Sequence, residues 1–397
     1  MLVSRSDRPP TGRLATPPTP ASKIRVFVVD DSAVVRGFIT RLLAAEPDIE
    51  VVGTANDGAS AVQKLSATRA DVVVLDVEMP VLDGLTALPQ ILATSRPAPK
   101  VVMASTLTNR GAAISIQALV KGAADYVPKP TSMSGDGAPA FGRDLLEHVR
   151  IWGAAAQRER QPQAAEAAPR PIAPRAALAP PSTSPSTKPA GRWSPKGGTA
   201  LARGLAAEAL AVGCSTGGPQ ALLRLFKALV SQPLGPIFVT QHMPPTFTAM
   251  FAEQLARASG RPCHEVIDHE TAQRGVIYLA PGDWHMVAER RLGEVRLRRL
   301  QTPPENYCRP SVDPMLRSLA SIYENRLLTL ILTGMGHDGL AGSRAVVERG
   351  GVVLAQDEAS SVVWGMPGAV AQAGVASELL DVDQLAQRVT ESFRSQP

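Results

Sequence analysis

Two groups of residues in this 397-residue sequence could do chemistry, and every member sits where an apolar run ends. Asp30 and Asp31 follow the run ending VV, Asp76 follows DVVVL, Ser105 closes KVVMA, and Lys129 lies in YVPKP. Carboxylates brought together repel one another unless a cation neutralises them, and hard oxygen ligands suit Mg2+. A lysine pairs with phosphoryl oxygens and a hydroxyl bonds to them. Each residue alone reads as a loop cap or a solvated charge; five at successive strand ends describe a site for a cation and a phosphoryl group.

The second group begins in ALAVGCSTGGPQALLRLF, a strand, a glycine-rich turn carrying Ser215, and a helix. Gly213 to Gly217 matches the G-x-S-x-G turn of hydrolases. The N-terminus of the following helix offers unpaired N–H donors to an oxyanion, and the region of Gly217 and Gly218 is the expected source. The same turn could cradle a phosphate, with Ser215 a mere helix cap. A serine nucleophile needs a base, and PIFVTQHMPP places His242 at the end of the next strand. The base needs an orienting acid, and LLTLILTGMGHDGLAG supplies Asp338 after another buried strand. A triad at one sheet edge is expected, in the order Ser, His, Asp, which departs from the Ser, Asp, His order of α/β-hydrolases.

The elements that must position these residues alternate. Strands at 24–29, 50–53, 72–75, 100–104 and 126–127 alternate with helices at 34–45, 61–67, 85–92, 112–121 and 141–156. A second series has strands at 209–213, 237–240, 327–332 and 352–355, with helices at 220–230, 246–258, 314–323 and 340–349. Shorter strands at 276–279, 284–288 and 295–300 fit an antiparallel insertion. Alternation with short loops predicts an α/β protein of two doubly wound parallel-sheet domains, one flavodoxin-like and one Rossmann-like. The expected divisions are a disordered tail at 1–22, a first domain at 23–150, a Pro/Ala/Ser-rich linker at 151–204 and a second domain at 205–397. A flexible linker of about 50 residues spans ~40 Å, enough for the domains to meet or separate.

Composition sets the class. Hydrophobic residues are 44% and charged residues 19%, the balance of a globular protein, and 35 prolines indicate unpacked stretches. No apolar run reaches the 18 or so residues needed to cross a bilayer, so no membrane insertion and a cytoplasmic location are expected. Three cysteines without metal spacing suggest neither zinc nor a disulfide framework. The net charge of +5 is scattered, which reads as solvated surface and not as nucleic-acid binding. Among the histidines, His148 reads as a charged-helix residue, His264 and His269 have no partner at metal spacing, and His285 reads equally as lining the site or as structural; Trp364 reads as a wall residue near the expected active edge.

VVDDS, LDVEMPVLDG and YVPKP resemble the receiver domain of two-component response regulators. The resemblance implies that Asp76 accepts a phosphoryl group from a histidine kinase of the chemotaxis type, with Mg2+ held by Asp30, Asp31 and Asp76. It makes Ser105 and Lys129 the switch hydroxyl and cation, and Tyr126 the aromatic that changes rotamer, though Tyr126 reads equally as a packed core residue. GCSTGGPQAL, QHMPPTFT, LAPGDWHM and LTGMGHDG together resemble the catalytic domain of chemotaxis protein-glutamate methylesterases. That implies Ser215 as nucleophile, His242 as general base and acid, Asp338 as orienting carboxylate, and Thr216 with the backbone at Met335 near substrate or oxyanion. It further implies methyl-accepting chemoreceptors as substrates, demethylation with release of methanol, deamidation of glutamine, no cofactor for the ester step, and inhibition by a docked receiver. Cys214 and His337 depart from the family's usual Ala and Asn.

Overall fold

The computed structural model describes residues 23–106, 108–130, 137–160 and 207–394. The expected tail, and the expected linker from residue 161 onward, lie outside the described residues.

The first domain runs β1 (Ile24–Val29), α1 (Ala33–Ala44), β2 (Ile49–Ala55), α2 (Gly58–Leu65), β3 (Val72–Asp76), α3 (Gly84–Leu92), β4 (Lys100–Thr106), α4 (Asn109–Val120), β5 (Asp125–Lys129) and α5 (Gly137–Arg160). Its five strands form one parallel sheet in the order β2-β1-β3-β4-β5. Strand β3 is buried along its whole length, as a central strand covered on both faces must be, and this explains its unbroken apolar run. Helix starts are capped by Ser32, Asp57, Asp83 and Thr108, whose side chains accept from the first-turn amides.

Helix α5 corrects the domain boundary. It continues to Arg160, ten residues into the stretch read as linker. Its Ala- and Arg-rich end has no strong apolar stripe, yet Trp152, Ala155 and Ala156 are buried and Trp152 Nε1 donates to Asp125 Oδ2 at 3.2 Å. Arg160 closes the end on Asp71. Packing overrides composition there.

The second domain contains β6 (Ala209–Cys214), α6 (Gly218–Ala228), β7 (Ile237–Gln241), α7 (Phe247–Ser259), β8 (Cys263–Glu265), β9 (Ile277–Leu279), β10 (His285–Arg291), β11 (Glu294–Leu300), α8 (Val312–Tyr323), β12 (Leu327–Ile331), α9 (Leu340–Glu348), β13 (Val352–Gln356), α10 (Met366–Gln372), β14 (Glu378–Leu380) and α11 (Val382–Arg394). Seven strands form a sheet in the order β14-β13-β12-β6-β7-β9-β8, with parallel pairings throughout. Only β10 and β11 form the expected antiparallel pair; β9 joins the parallel sheet. Strands β8 and β14 and helices α10 and α11 were not read from the sequence, although Val382, Leu385, Ala386, Val389 and Phe393 set a buried apolar stripe at helical spacing on α11. Each of those strands is three residues long, too short for a period to register.

Strand order reverses between β12 and β6. Chain leaving β6 crosses to β7 on one side, while chain leaving β12 crosses to β13 on the other, so their carboxyl ends border a crevice where an open α/β sheet binds ligands.

The two domains touch. Tyr126 stacks on Phe247 with ring centroids 4.4 Å apart and planes 8° from parallel, and Gln220 Nε2 donates to the carbonyls of Leu119 and Ala123 at 2.5 and 2.7 Å. One apolar core runs from Leu119 and Tyr126 into Phe247, Phe251 and Leu222.

Candidate active site

The turn carrying Ser215 forms because β6 ends against a glycine-rich corner. Gly217 lies at φ 76, and a Cβ there would come within 2.8 Å of Val362, so both backbone and space demand glycine. Ser215 N–H donates to the Thr333 carbonyl at 3.0 Å, tying the turn to the end of β12. Gln241 ties it to β7: its amide donates to the carbonyls of Ser215 and His242 at 3.0 and 3.1 Å, and its oxygen accepts from Cys214 Sγ at 3.1 Å. Cys214 is buried, which pushes its thiol up, and its role is this contact.

The expected oxyanion donors narrow. Gly218 N–H is spent on the Ser215 carbonyl at 2.7 Å, whereas the amides of Thr216 and Gly217 have no hydrogen bond among the described residues. Met335 is 49% exposed beside this corner. A Cβ on neighbouring Gly334 would lie 2.8 Å from Ser215 Cβ, so Met335 follows a residue in direct contact with Ser215.

His242 follows β7, and its N–H donates to the Cys214 carbonyl at 3.2 Å. Its Nε2 lies 2.7 Å from Asp338 Oδ2. Asp338, 2% exposed, is caged by donors: Val312 N at 2.7 Å on Oδ2, and Asn306 Nδ2 (2.8 Å), Ser311 Oγ (2.7 Å), Gly339 N (2.9 Å) and Asp313 N (3.3 Å) on Oδ1. Burial pushes this carboxyl up, but the His242 bond and the surrounding donors outweigh it and hold the pKa at about 2. Burial pulls the His242 ring down, and the partners Asp338 and Cys308 outweigh it, giving about 9. These are two ends of one interaction; the direction that stands on geometry is an ionised Asp338 favouring a charged ring.

Ser215 and His242 line one cavity of about 220 Å³ with Thr216, Gln241 and Pro244, and the first domain lines its other side with Asp125, Tyr126, Asp144 and His148. His148 was expected on a plain charged face; instead it lines this cavity, beside the buried Asp125, whose carboxyl is raised by burial. His285 is a positioning residue: Nδ1 accepts from Ser311 N at 3.1 Å, and Ser311 in turn holds Asp338. His264 is paired with Glu270 at 2.8 Å. Trp364 donates to the Gln356 carbonyl at 3.3 Å and packs beside Gly368. Sequence reading missed the loop 305–311, which delivers Asn306, Cys308 and Ser311; no motif or period marks it.

In the first domain, oxygens of Asp30, Asp31 and Asp76 lie within 4.8 Å of one another. Lys129 Nζ donates to Asp30 Oδ2 at 2.8 Å and stands 2.7 Å from Asp76 Oδ1. Burial raises Asp76 to about 6 against the opposing Lys129 charge. Ser105 Oγ pairs with Ser115 Oγ at 2.7 Å rather than with this cluster, and buried Tyr126 faces Phe247. The five predicted residues therefore line one pocket at the sheet edge, the Ser105 hydroxyl being bonded to Ser115.

A flavodoxin-like sheet with an acidic edge, joined to an α/β domain with serine, histidine and aspartate at its switch point, defines a response regulator with an enzyme as its output. Residues 26–135 match the response regulator receiver domain, and residues 210–389 match CheB methylesterase. The protein-glutamate methylesterase/protein-glutamine glutaminase of Azospirillum brasilense is 47% identical over 95% of this chain and 95% of its own. The group 2 operon protein of that name from Rhodospirillum centenum is 47% identical over 96% of both. The solved CheB methylesterase catalytic domain of Thermotoga maritima is 36% identical, covering 47% of this chain and 99% of that one, with a TM-score of 0.46. This chain belongs to the protein-glutamate methylesterase/protein-glutamine glutaminase family.

Proposed function

We propose that this chain demethylates glutamate methyl esters of chemoreceptors, and deamidates their glutamines, through Ser215, His242 and Asp338 under control of Asp76. The observation that carries the reading is the Asp338 cage: donors fix both oxygens, and the 2.7 Å bond to Nε2 leaves Nδ1 of His242 as the proton acceptor in the cavity shared with Ser215.

Ser215 Oγ attacks the ester carbonyl carbon while its proton passes to Nδ1. The amides of Thr216 and Gly217 receive the oxyanion, in a corner walled by Met335. The C–O bond to the methoxy group breaks, the ring returns its proton, and methanol leaves. Water then attacks the acyl-enzyme, the ring takes its proton and passes it to Ser215 Oγ, and a glutamate carboxylate is released. With glutamine the leaving group is ammonia.

Asp30, Asp31 and Asp76 would hold Mg2+; three carboxylates within reach of one another, two of them buried, are a hard-oxygen set that suits it. When bound, the ion neutralises charge on the incoming phosphoryl group. Asp76 takes that group from a chemotaxis-type histidine kinase, and Lys129 pairs with its oxygens. Ser105 exchanges Ser115 for the phosphoryl group, Tyr126 shifts, and its stack on Phe247 is lost. The receiver then uncovers the cavity. Among the described residues no helix is long and apolar enough to cross a membrane. The reaction belongs in the cytoplasm, where kinase and free cysteines fit.

Methanol release from methylated receptor membranes tests this: Ser215→Ala should abolish it, and full retention would remove Ser215 from the mechanism.

A further inference from the structure

The ring of His242 is held from both sides, and the partner on its basic side is not the serine. Asp338 takes Nε2, so Nδ1 is the nitrogen that must accept the Ser215 proton. Nδ1 lies 3.4 Å from Cys308 Sγ, hydrogen-bond contact for sulfur, while Ser215 Oγ makes no hydrogen bond among the described residues. Cys308 does not arrive by chance. Glu305 and Cys308 exchange both backbone hydrogen bonds, at 3.1 and 2.9 Å, around Asn306 and Tyr307 at φ 52 and 64. Asn306 bonds Asp313 and Asp338 at 2.9 and 2.8 Å, and Arg317 anchors Glu305 at 2.7 Å. The loop that fixes the acid of the triad therefore also sets a sulfur against its base.

We propose that Cys308 is a positioning residue that parks the base: its sulfur occupies Nδ1 of His242 in the resting site, and turnover requires that contact to give way to Ser215 Oγ. This rests on the reading of His242 as the base for Ser215. Nδ1 carries one lone pair or one proton, so sulfur and hydroxyl cannot both use it. The titratable groups that face the ring are Asp338 and Cys308, with Asp125, Asp144 and His148 across the cavity. A single hydrogen bond of ordinary net strength holds an equilibrium about five-fold to one side. Freeing the ring should raise kcat by up to that factor and leave KM nearly unmoved, because the sulfur acts through the ring.

The experiment is methanol release by the full-length chain, with methylated receptor membranes and a fixed small phosphodonor, across pH 6 to 10. Wild type, Cys308→Ala, Cys308→Ser and Ser215→Ala are compared. Cys308→Ala should raise kcat at pH 7 about five-fold and displace the acid limb of the pH profile, while Cys308→Ser, which keeps a group able to bond Nδ1, stays near wild type. An upward displacement places the shared proton on sulfur; a downward one places it on the ring. Both accord with parking. A fall in kcat for Cys308→Ala, or an unmoved acid limb, overturns the proposal while inactive Ser215→Ala leaves the triad standing. Active Ser215→Ala would sink both.

Discussion

Asp338→Asn is the sharpest probe of the site, because an amide has the carboxylate's shape but only one oxygen. Every atom around Asp338 is a donor: His242 Nε2 and Val312 N on Oδ2, and Asn306, Ser311, Gly339 N and Asp313 N on Oδ1. With its NH2 on the Oδ1 side, the amide would confront two backbone N–H groups that cannot turn away. On the Oδ2 side it confronts one, and the ring can answer by moving its proton to Nδ1. Each buried donor left without an acceptor costs about 1–3 kcal/mol, so the second arrangement wins by roughly one such group. It also puts the proton on the nitrogen that must accept from Ser215. The expected result is a fall in kcat of about 10³–10⁴, as for loss of the productive tautomer in other serine triads, with KM little changed and about 1–3 kcal/mol of stability lost. Methanol release gives kcat, and 15N chemical shifts of the imidazole report the tautomer independently. A fall of less than about ten-fold, or a ring still protonated on Nε2, would refute the reasoning.

Two further outcomes follow from the same geometry. His242 is raised to about 9 in the fold, so the pair with Asp338 contributes stability that is fully present below about pH 6.5 and is lost as pH rises through 9. Urea melts at pH 6 and pH 9 should differ by up to about 3 kcal/mol more in wild type than in His242→Gln, while the esterase rate climbs over that window as the ring loses its proton. Gln220→Ala removes both hydrogen bonds from the catalytic domain to the Leu119 and Ala123 carbonyls. At about 1 kcal/mol each, the docking equilibrium shifts by roughly thirty-fold, raising methanol release without phosphodonor and leaving the phosphodonor-stimulated rate in place. An unchanged basal rate would separate docking from inhibition.

What was legible in the sequence was whatever lies at a strand end. Asp76, Lys129, Ser215, His242 and Asp338 each follow an apolar run, and parallel α/β folds bring such ends to one edge, so strand order alone puts β12, β6 and β7 side by side. The loop 305–311 was not legible. It follows a hairpin, carries no period, and its members reach Asp338 and His242 through contacts 27 to 66 residues away along the chain. The last turn of α5, beyond the helix read over 141–156, escaped for a related reason: it is wholly polar, and Arg160 is held there by an ion pair reaching back to Asp71.

Those same illegible contacts join control to chemistry. Asp125 begins the strand that ends in Lys129, so the residue that holds Trp152 and lines the catalytic cavity is four positions from the cation of the acidic site. Tyr126, next to it, is buried against Phe247 at the start of α7, whose chain has just left His242. A displacement at Lys129 therefore reaches the cavity through a single short strand, without a long relay of side chains. Parallel sheets make this economical, because the edge that gathers carboxylates in one domain can face the edge that gathers a triad in the other. The apolar core continuous across Tyr126 and Phe247 is packing that would have to be broken for the receiver to leave, and under the proposed control the energy for breaking it would come from the charge placed on Asp76.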